Sequence, residues 1–205
     1  MNIKTIIFDL GGVIIDLDFK KTPEALALLS GWPADDIYQR YWEPGLFQDH
    51  EKGLISDQDL RLGINQLFKT QLSDLQIDQA WNAMLGNVPK ARLDFMCSLR
   101  KDYKVLVLSN TNGIHEKAFN QIIQASSGEQ SLHAFADEVY FSHELHMRKP
   151  DLDIYQEVLK RSDNRADECL FLDDTLANLE AAASLGIHTL HITEPDNIFN
   201  LTAYV

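Results

Sequence analysis

The sequence predicts an α/β protein: a parallel β-sheet sandwiched by helices, with a small all-helical module inserted after the first strand. Three observations carry that expectation. Short apolar runs rich in β-branched residues recur, each followed by a segment of helical spacing, and this alternation builds parallel sheets covered on both faces. Between residues 18 and 87 the alternation stops, and tryptophans, polar faces and helical spacing take over. After Pro89 it returns. The expected division is 1–17 with 88–205 as the core, and 18–87 as a helical cap over the strand ends.

The first strand is expected over residues 3–8, because an Ile-rich run with no polar alternation suits a strand buried on both faces. Helices are expected over 25–29, 36–41, 57–68 and 74–85. Breaks fall at Gly31-Trp32-Pro33, Pro44-Gly45 and Gly86, and Ser56 and Ser73 have the residue type of N-caps. Residues 41–53 mix aromatics, charges and turn formers, so they read as a closing loop. In it Trp42, Phe47 and His50 fit either contact with a bound molecule or packing within the cap. In the core, helices are expected over 91–100, 113–124, 152–160 and 176–185. The strands between them fall at 104–108, 138–141, 168–172 and 189–192.

A chain of 205 residues with 45% hydrophobic content can bury a sizeable core. Its formal net charge of −13 opposes non-specific attraction to nucleic acid or anionic membranes. A phosphate-bearing ligand would then need local positive charge or a metal. Cys97 and Cys169 form no disulfide framework and read as buried thiols. The N-terminus lacks a signal-peptide pattern and no apolar run approaches the ~18 residues of a membrane span, so a cytoplasmic protein is expected. His143 and His146 share a turn and read as solvent-facing polar side chains rather than a metal pair.

Suggestive polar groups stand at successive strand ends: Asp9 after the first, Ser109-Asn110 after the second, Lys149-Pro150 ahead of a helix, and Asp173-Asp174 after the fourth. Ligands of parallel sheets collect at these ends. Asp9 and Asp174 with a backbone carbonyl make an all-oxygen site of the kind Mg²⁺ prefers. Ser109 and Asn110 offer donors to phosphate oxygens, and Lys149 offers compensating charge. Singly, each has a plainer role: Asp9 as a turn cap, Ser109-Asn110 as a loop before an N-cap, Lys149 as a solvated charge, and Asp173-Asp174 as complement to a helix dipole.

Together these residues resemble the haloacid dehalogenase superfamily. Phe8-Asp9-Leu10-Gly11-Gly12-Val13 looks like its first motif and Leu108-Ser109-Asn110 its second. Met147-Arg148-Lys149-Pro150-Asp151 looks like the third, and Phe171-Leu172-Asp173-Asp174 with Asn178-Leu179-Glu180-Ala181-Ala182 the fourth. The resemblance implies a Rossmann-like core with a helical cap after motif one. Within the superfamily the chain looks closest to sugar-phosphate phosphatases of the α-D-glucose-1-phosphate phosphatase type.

By that resemblance Asp9 is a nucleophile that forms an aspartyl-phosphate, assisted by Lys149, while Ser109, Asn110 and Lys149 bind phosphate. Mg²⁺ is implied at Asp9, the Gly11 carbonyl and Asp174, with Asp173 nearby or acting through water. The partner implied is a small phosphorylated metabolite, with neither nucleic acid nor membrane, and the chain is expected as a monomer or weak dimer.

One position departs from the family pattern: Gly11 stands where most family phosphatases carry a second aspartate that protonates the leaving oxygen. Asp16, Asp18, His50 and Glu51 are the substitutes the sequence offers. Two other readings stay open at this point, a metal-independent 2-haloacid dehalogenase and a non-catalytic phosphometabolite-binding protein.

Overall fold

The computed structural model describes residues 2–203. Met1, Tyr204 and Val205, the ends of the expected core, lie outside them. Five strands form one wholly parallel sheet in the order β3–β2–β1–β4–β5: β1 (Thr5–Phe8), β2 (Lys104–Ser109), β3 (Glu138–Phe141), β4 (Cys169–Asp173) and β5 (His188–His191). β1 is central and buried along its whole length, as its Ile6-Ile7-Phe8 run requires, and the buried Thr5 hydroxyl is satisfied by Asn164 at 2.8 Å.

Alternate residues of each strand face opposite layers. Ile6, Phe8, Val105, Val107, Leu170 and Leu172 pack on one side with Leu93 and Met96 of α6 (Lys90–Leu99) and Phe119 and Ile123 of α7 (Gly113–Ser127). Ile7, Leu106, Leu108 and Phe171 pack on the other with Ile154, Tyr155 and Val158 of α9 (Leu152–Arg161) and Leu179 and Ala182 of α10 (Leu176–Ser184). Cys169 is buried in this second layer, whereas Cys97, expected inside, is exposed. It follows Met96 on α6, whose inward stripe is taken by Leu93 and Met96, and a one-residue step on a helix turns the next side chain about 100° away.

Five helices lie between β1 and α6: α1 (Lys21–Ser30), α2 (Ala34–Tyr41), α3 (Leu46–Glu51), α4 (Asp57–Phe68) and α5 (Asp74–Trp81), the last followed by a 3₁₀ turn at Asn82–Met84. They bury a cluster of their own, with Leu26, Ile37, Phe47, Leu60, Ile64, Ile77 and Trp81 at its centre and Ile114 of α7 reaching in from the core. Ser56 and Ser73 cap α4 and α5 in full capping boxes, each side chain accepting from the backbone N–H three residues on and each backbone N–H donating to the side chain there. α1 begins four residues before the expected start, with Pro23 in its first turn, where the missing N–H costs nothing.

The expected closing loop 41–53 is half helix, because α3 runs through it. A second short helix, α8 (Ser142–Leu145), follows β3 directly. The two chain crossings between core and module lie side by side. The Asp16 N–H donates to the Asn87 carbonyl at 2.9 Å, the Gly86 N–H to the Asp16 carbonyl at 2.7 Å, and the Asp18 N–H to the Met84 carbonyl at 2.9 Å. No helix among the described residues is long and apolar enough to cross a membrane.

Leu60, fully buried in the module cluster, is a test of that second core. Leu60→Ala should lower stability by about 2–5 kcal/mol, read as a lower urea midpoint.

Candidate active site

The C-terminal ends of β1, β2 and β4 converge, and the groups they carry are joined through Lys149. Asp9 extends the sheet pairing one residue past β1, its N–H donating to the Leu172 carbonyl at 2.8 Å. The Lys149 ammonium, 1% exposed, donates to Asp9 Oδ1 at 2.8 Å and to Asp173 Oδ2 at 2.7 Å. Asn110 holds this lysine in place from both sides of its backbone. It accepts from the Lys149 N–H and donates to the Lys149 carbonyl, both at 2.9 Å. An amide nitrogen carries two protons, so one is left for a ligand. The solvated surface charge that Lys149 alone suggested is therefore not what the fold makes of it.

Asp173, fully buried, is saturated: besides Lys149 it accepts from the Thr175 N–H at 2.8 Å and from Asn178 at 3.0 Å on both oxygens. Asp174 points the other way, toward the loop after β1. A Cβ placed on Gly12 would lie 2.2 Å from Asp174 Oδ2, and Gly12 adopts φ +69°, so only glycine lets the loop and the carboxylate approach this closely. Asp9, Asp173 and Asp174 each offer an oxygen within 4.8 Å of the other two.

Three carboxylates around one ammonium leave surplus negative charge. Burial, opposed by Lys149 and reinforced by Asp173 and Asp174, pushes the Asp9 carboxyl up to about 7. Burial and then Asp173 raise Asp174 as well. Burial alone would depress Lys149, yet Asp173 and Asp9 more than offset it and hold its proton above the ordinary lysine range. A hard divalent cation fits this donor set, because it would satisfy the clustered oxygens and remove the repulsion among them. Asp9 and Asp174 face the cavity with the Gly11 backbone, while Asp173 is committed to its four hydrogen bonds.

The cavity above these groups has a volume of about 340 Å³. Ser109 lines its floor, buried, its hydroxyl making a long 3.4 Å contact with the Asn110 carbonyl. The N-cap of α7 is Asn112, which accepts from the His115 N–H at 3.0 Å, so Ser109 and Asn110 are spared the capping role. Trp42 lines the cavity half-exposed, against Phe19 and Tyr41. Phe47 is buried in the module instead, its ring stacked on Trp81 at 5.2 Å.

Position 11 has no room for a side chain as the chain stands: a Cβ there would lie 2.4 Å from Leu17 Cδ1. Of the four substitute acids, Asp16 is paired with Arg92 at 2.7 Å, Asp18 accepts from the Lys20 N–H at 3.1 Å, and His50 contacts Asp57 at 3.0 Å. Only Glu51 of the four lines the cavity, paired with Arg148 at 2.7 Å. Arg148, Tyr41 and His115 also line it without having been singled out from sequence. Adjacency to Lys149 was the one available signal for Arg148. His143 is no surface group, since Glu116 lies 3.2 Å from its Nε2 and its side chain is 15% exposed.

A family model for haloacid dehalogenase-like hydrolases matches residues 3–186. The D-ribitol-5-phosphate phosphatase of Bacteroides thetaiotaomicron is 33% identical over 195 residues, covering 95% of this chain and 93% of that protein. The crystal structure of a HAD family enzyme from the same organism, in complex with magnesium and inorganic phosphate, superposes with a TM-score of 0.82 at 33% identity, over 92% of this chain and 93% of that one. A HAD-like family hydrolase of Porphyromonas gingivalis gives a TM-score of 0.90 at 30% identity, over 100% of this chain and 98% of that one.

The raised Asp9 carboxyl sets the sign of a pH effect. Between its ordinary value of 3.8 and about 7, the folded state holds a proton that the unfolded state has released. Stability without metal should therefore fall as pH rises through that window. Thermal melts in EDTA should show wild type losing stability relative to Asp9→Asn from pH 4 to 7, with the difference flat above 7.

Proposed function

The chain belongs to the haloacid dehalogenase-like hydrolases, and from that premise we propose that it is a Mg²⁺-dependent phosphatase of a small phosphorylated metabolite, a sugar or polyol phosphate. The observation that carries this reading is the Lys149-bridged pair Asp9–Asp173, with Asp174 beside it, at the floor of a cavity of metabolite size. In this reading residues 18–87 are a cap and 1–17 with 88–205 the catalytic core.

Asp9 attacks phosphorus, an O–P bond forms to its carboxylate as the ester oxygen departs, and water then cleaves the aspartyl-phosphate to restore Asp9. Lys149 holds Asp9 in place through one short contact and faces the charge that spreads over the transferring group. Ser109 and the remaining amide proton of Asn110 donate to phosphate oxygens. Mg²⁺ would be held by Asp9, the Gly11 carbonyl and Asp174, while Asp173, its oxygens taken by Lys149, Thr175 and Asn178, holds the lysine beside it; when bound the ion would supply charge neutralisation to the phosphoryl oxygens.

Trp42, Tyr41 and Phe19 offer aromatic faces to a sugar or polyol, while Gln48 and Arg148 offer hydrogen bonds to its hydroxyls. The D-ribitol-5-phosphate phosphatase relative supports a polyol phosphate, and the resemblance to α-D-glucose-1-phosphate phosphatases supports glucose 1-phosphate as a second candidate. Three clustered carboxylates weigh against a haloacid substrate, which brings a carboxylate of its own.

Phosphate release across a panel of sugar and polyol phosphates, D-ribitol 5-phosphate and glucose 1-phosphate included, tests the proposal. Asp9→Asn should reduce turnover to background while leaving the melting curve folded. EDTA should abolish release and added MgCl₂ restore it. Full activity in EDTA, or undiminished release by Asp9→Asn, would refute it.

A further inference from the structure

The geometry points to Glu51, carried by the cap-side helix α3, as the proton donor that serves the leaving oxygen in place of a side chain at position 11. This assignment rests on the phosphatase reading above and adds the acid–base residue that it lacks.

Attacking and leaving oxygens of a phosphoryl transfer lie roughly in line. Asp9 attacks from the end of β1, so the ester oxygen departs on the side away from it. Apart from the strand ends and the loops that follow them, the described residues lining the cavity include few groups able to give up a proton. Tyr41 is raised above its ordinary range by burial and then by Glu51 beside it, so it does not release a proton near neutrality. Arg148 is permanently protonated. Gln48 has no acidic proton. His115 lines the cavity, but its Nε2 meets the Trp81 carbonyl at 3.1 Å and its Nδ1 meets Asn112 at 3.1 Å, so both nitrogens are engaged. Glu51 is what remains.

Its surroundings suit the task. The side chain is 14% exposed, and Arg148 Nε engages Oε2 alone, so among the described residues Oε1 has no hydrogen bond and is available to a ligand. The backbone is fixed as well, since the buried Ser142 hydroxyl donates to the Glu51 carbonyl at 2.6 Å and ties the end of α3 to the core. The charged and titratable groups facing Glu51 are Arg148, Lys149, Lys52 and Tyr41. Burial raises its carboxyl above the ordinary glutamate value even against the three cations.

The proton balance closes over two steps. As the P–O bond to the ester oxygen breaks, the Glu51 carboxyl gives its proton to that oxygen, and the alcohol leaves. Glu51, now a carboxylate, takes a proton from the water that attacks the aspartyl-phosphate. Inorganic phosphate departs, and Asp9 and Glu51 return to their starting states.

The test compares leaving groups, because an acid matters most for a poor one. With Mg²⁺ present, wild type, Glu51→Gln, Glu51→Ala and Asp9→Asn are assayed on D-ribitol 5-phosphate and glucose 1-phosphate, whose alkoxides leave poorly, and on p-nitrophenyl phosphate, whose phenolate leaves well. Gln keeps an acceptor for Arg148 and Ala only vacates space, so at least one folded variant, checked by melting, is expected.

Glu51→Gln should lower kcat on the sugar and polyol esters by about 10²–10⁴-fold, with a far smaller loss on the aryl ester. The alkaline fall of the wild-type pH profile on those esters should disappear with it. An equal loss on all esters, or a rise in KM at constant kcat, would assign Glu51 to structure or binding and overturn the inference. Asp9→Asn reports separately: its failure to abolish turnover on every ester would overturn the phosphatase mechanism itself.

Discussion

The buried ammonium of Lys149 is the interaction on which the site depends. A lysine 1% exposed is costly unless matched, and here two carboxylates from two different strand ends match it. Asn110 at the end of β2 grips the same lysine by its backbone. One residue, through its side chain and its backbone, thus ties together the ends of β1, β2 and β4 and the segment before α9. The arrangement also leaves carboxylate in excess, which is the electrostatic reason a divalent cation belongs there. The acidity of the whole chain is beside the point, because the decisive charges lie within a few ångströms of Asp9.

The helical module completes the site around a cluster of its own. Its cluster takes in Ile114 of α7, Leu85 packs on the core's own cluster, and further ties to the core are polar or aromatic: Trp81 stacked on His115, Glu51 paired with Arg148, and His146 against the Lys52 carbonyl. The two crossings at Asp16–Asp18 and Met84–Asn87 are hydrogen-bonded side by side. On the far side of the cavity the Ser142 hydroxyl ties the end of α3, and with it Glu51, to the core.

Most of the fold was legible because its signals are local. The β-branched runs gave the strands to within a residue or two, and the Ser56 and Ser73 capping boxes marked helix starts at the expected positions. The strand-end residues Asp9, Ser109, Asn110, Lys149, Asp173 and Asp174 could be read together because parallel topology brings such ends to one edge. What the sequence hid was direction. His50 and Glu51 are consecutive and equally plausible on paper, yet on α3 they point about 100° apart, one to Asp57 and the other to the cavity. Reading 41–53 as a loop removed the periodicity that would have separated them. Trp42 and Phe47 divide between cavity and core for the same reason, and the Asp16–Arg92 pair spans a sequence distance no local pattern reports.

Leu17 decides how much space position 11 has. Its methyl group lies 2.4 Å from the place of a Cβ there. That methyl is the end of a rotatable side chain, whereas the bridge from Leu17 to Leu85 is made by the backbone. The crossing between core and module therefore does not depend on which way the Leu17 side chain points, and the room beside Asp9 is set by a single rotamer.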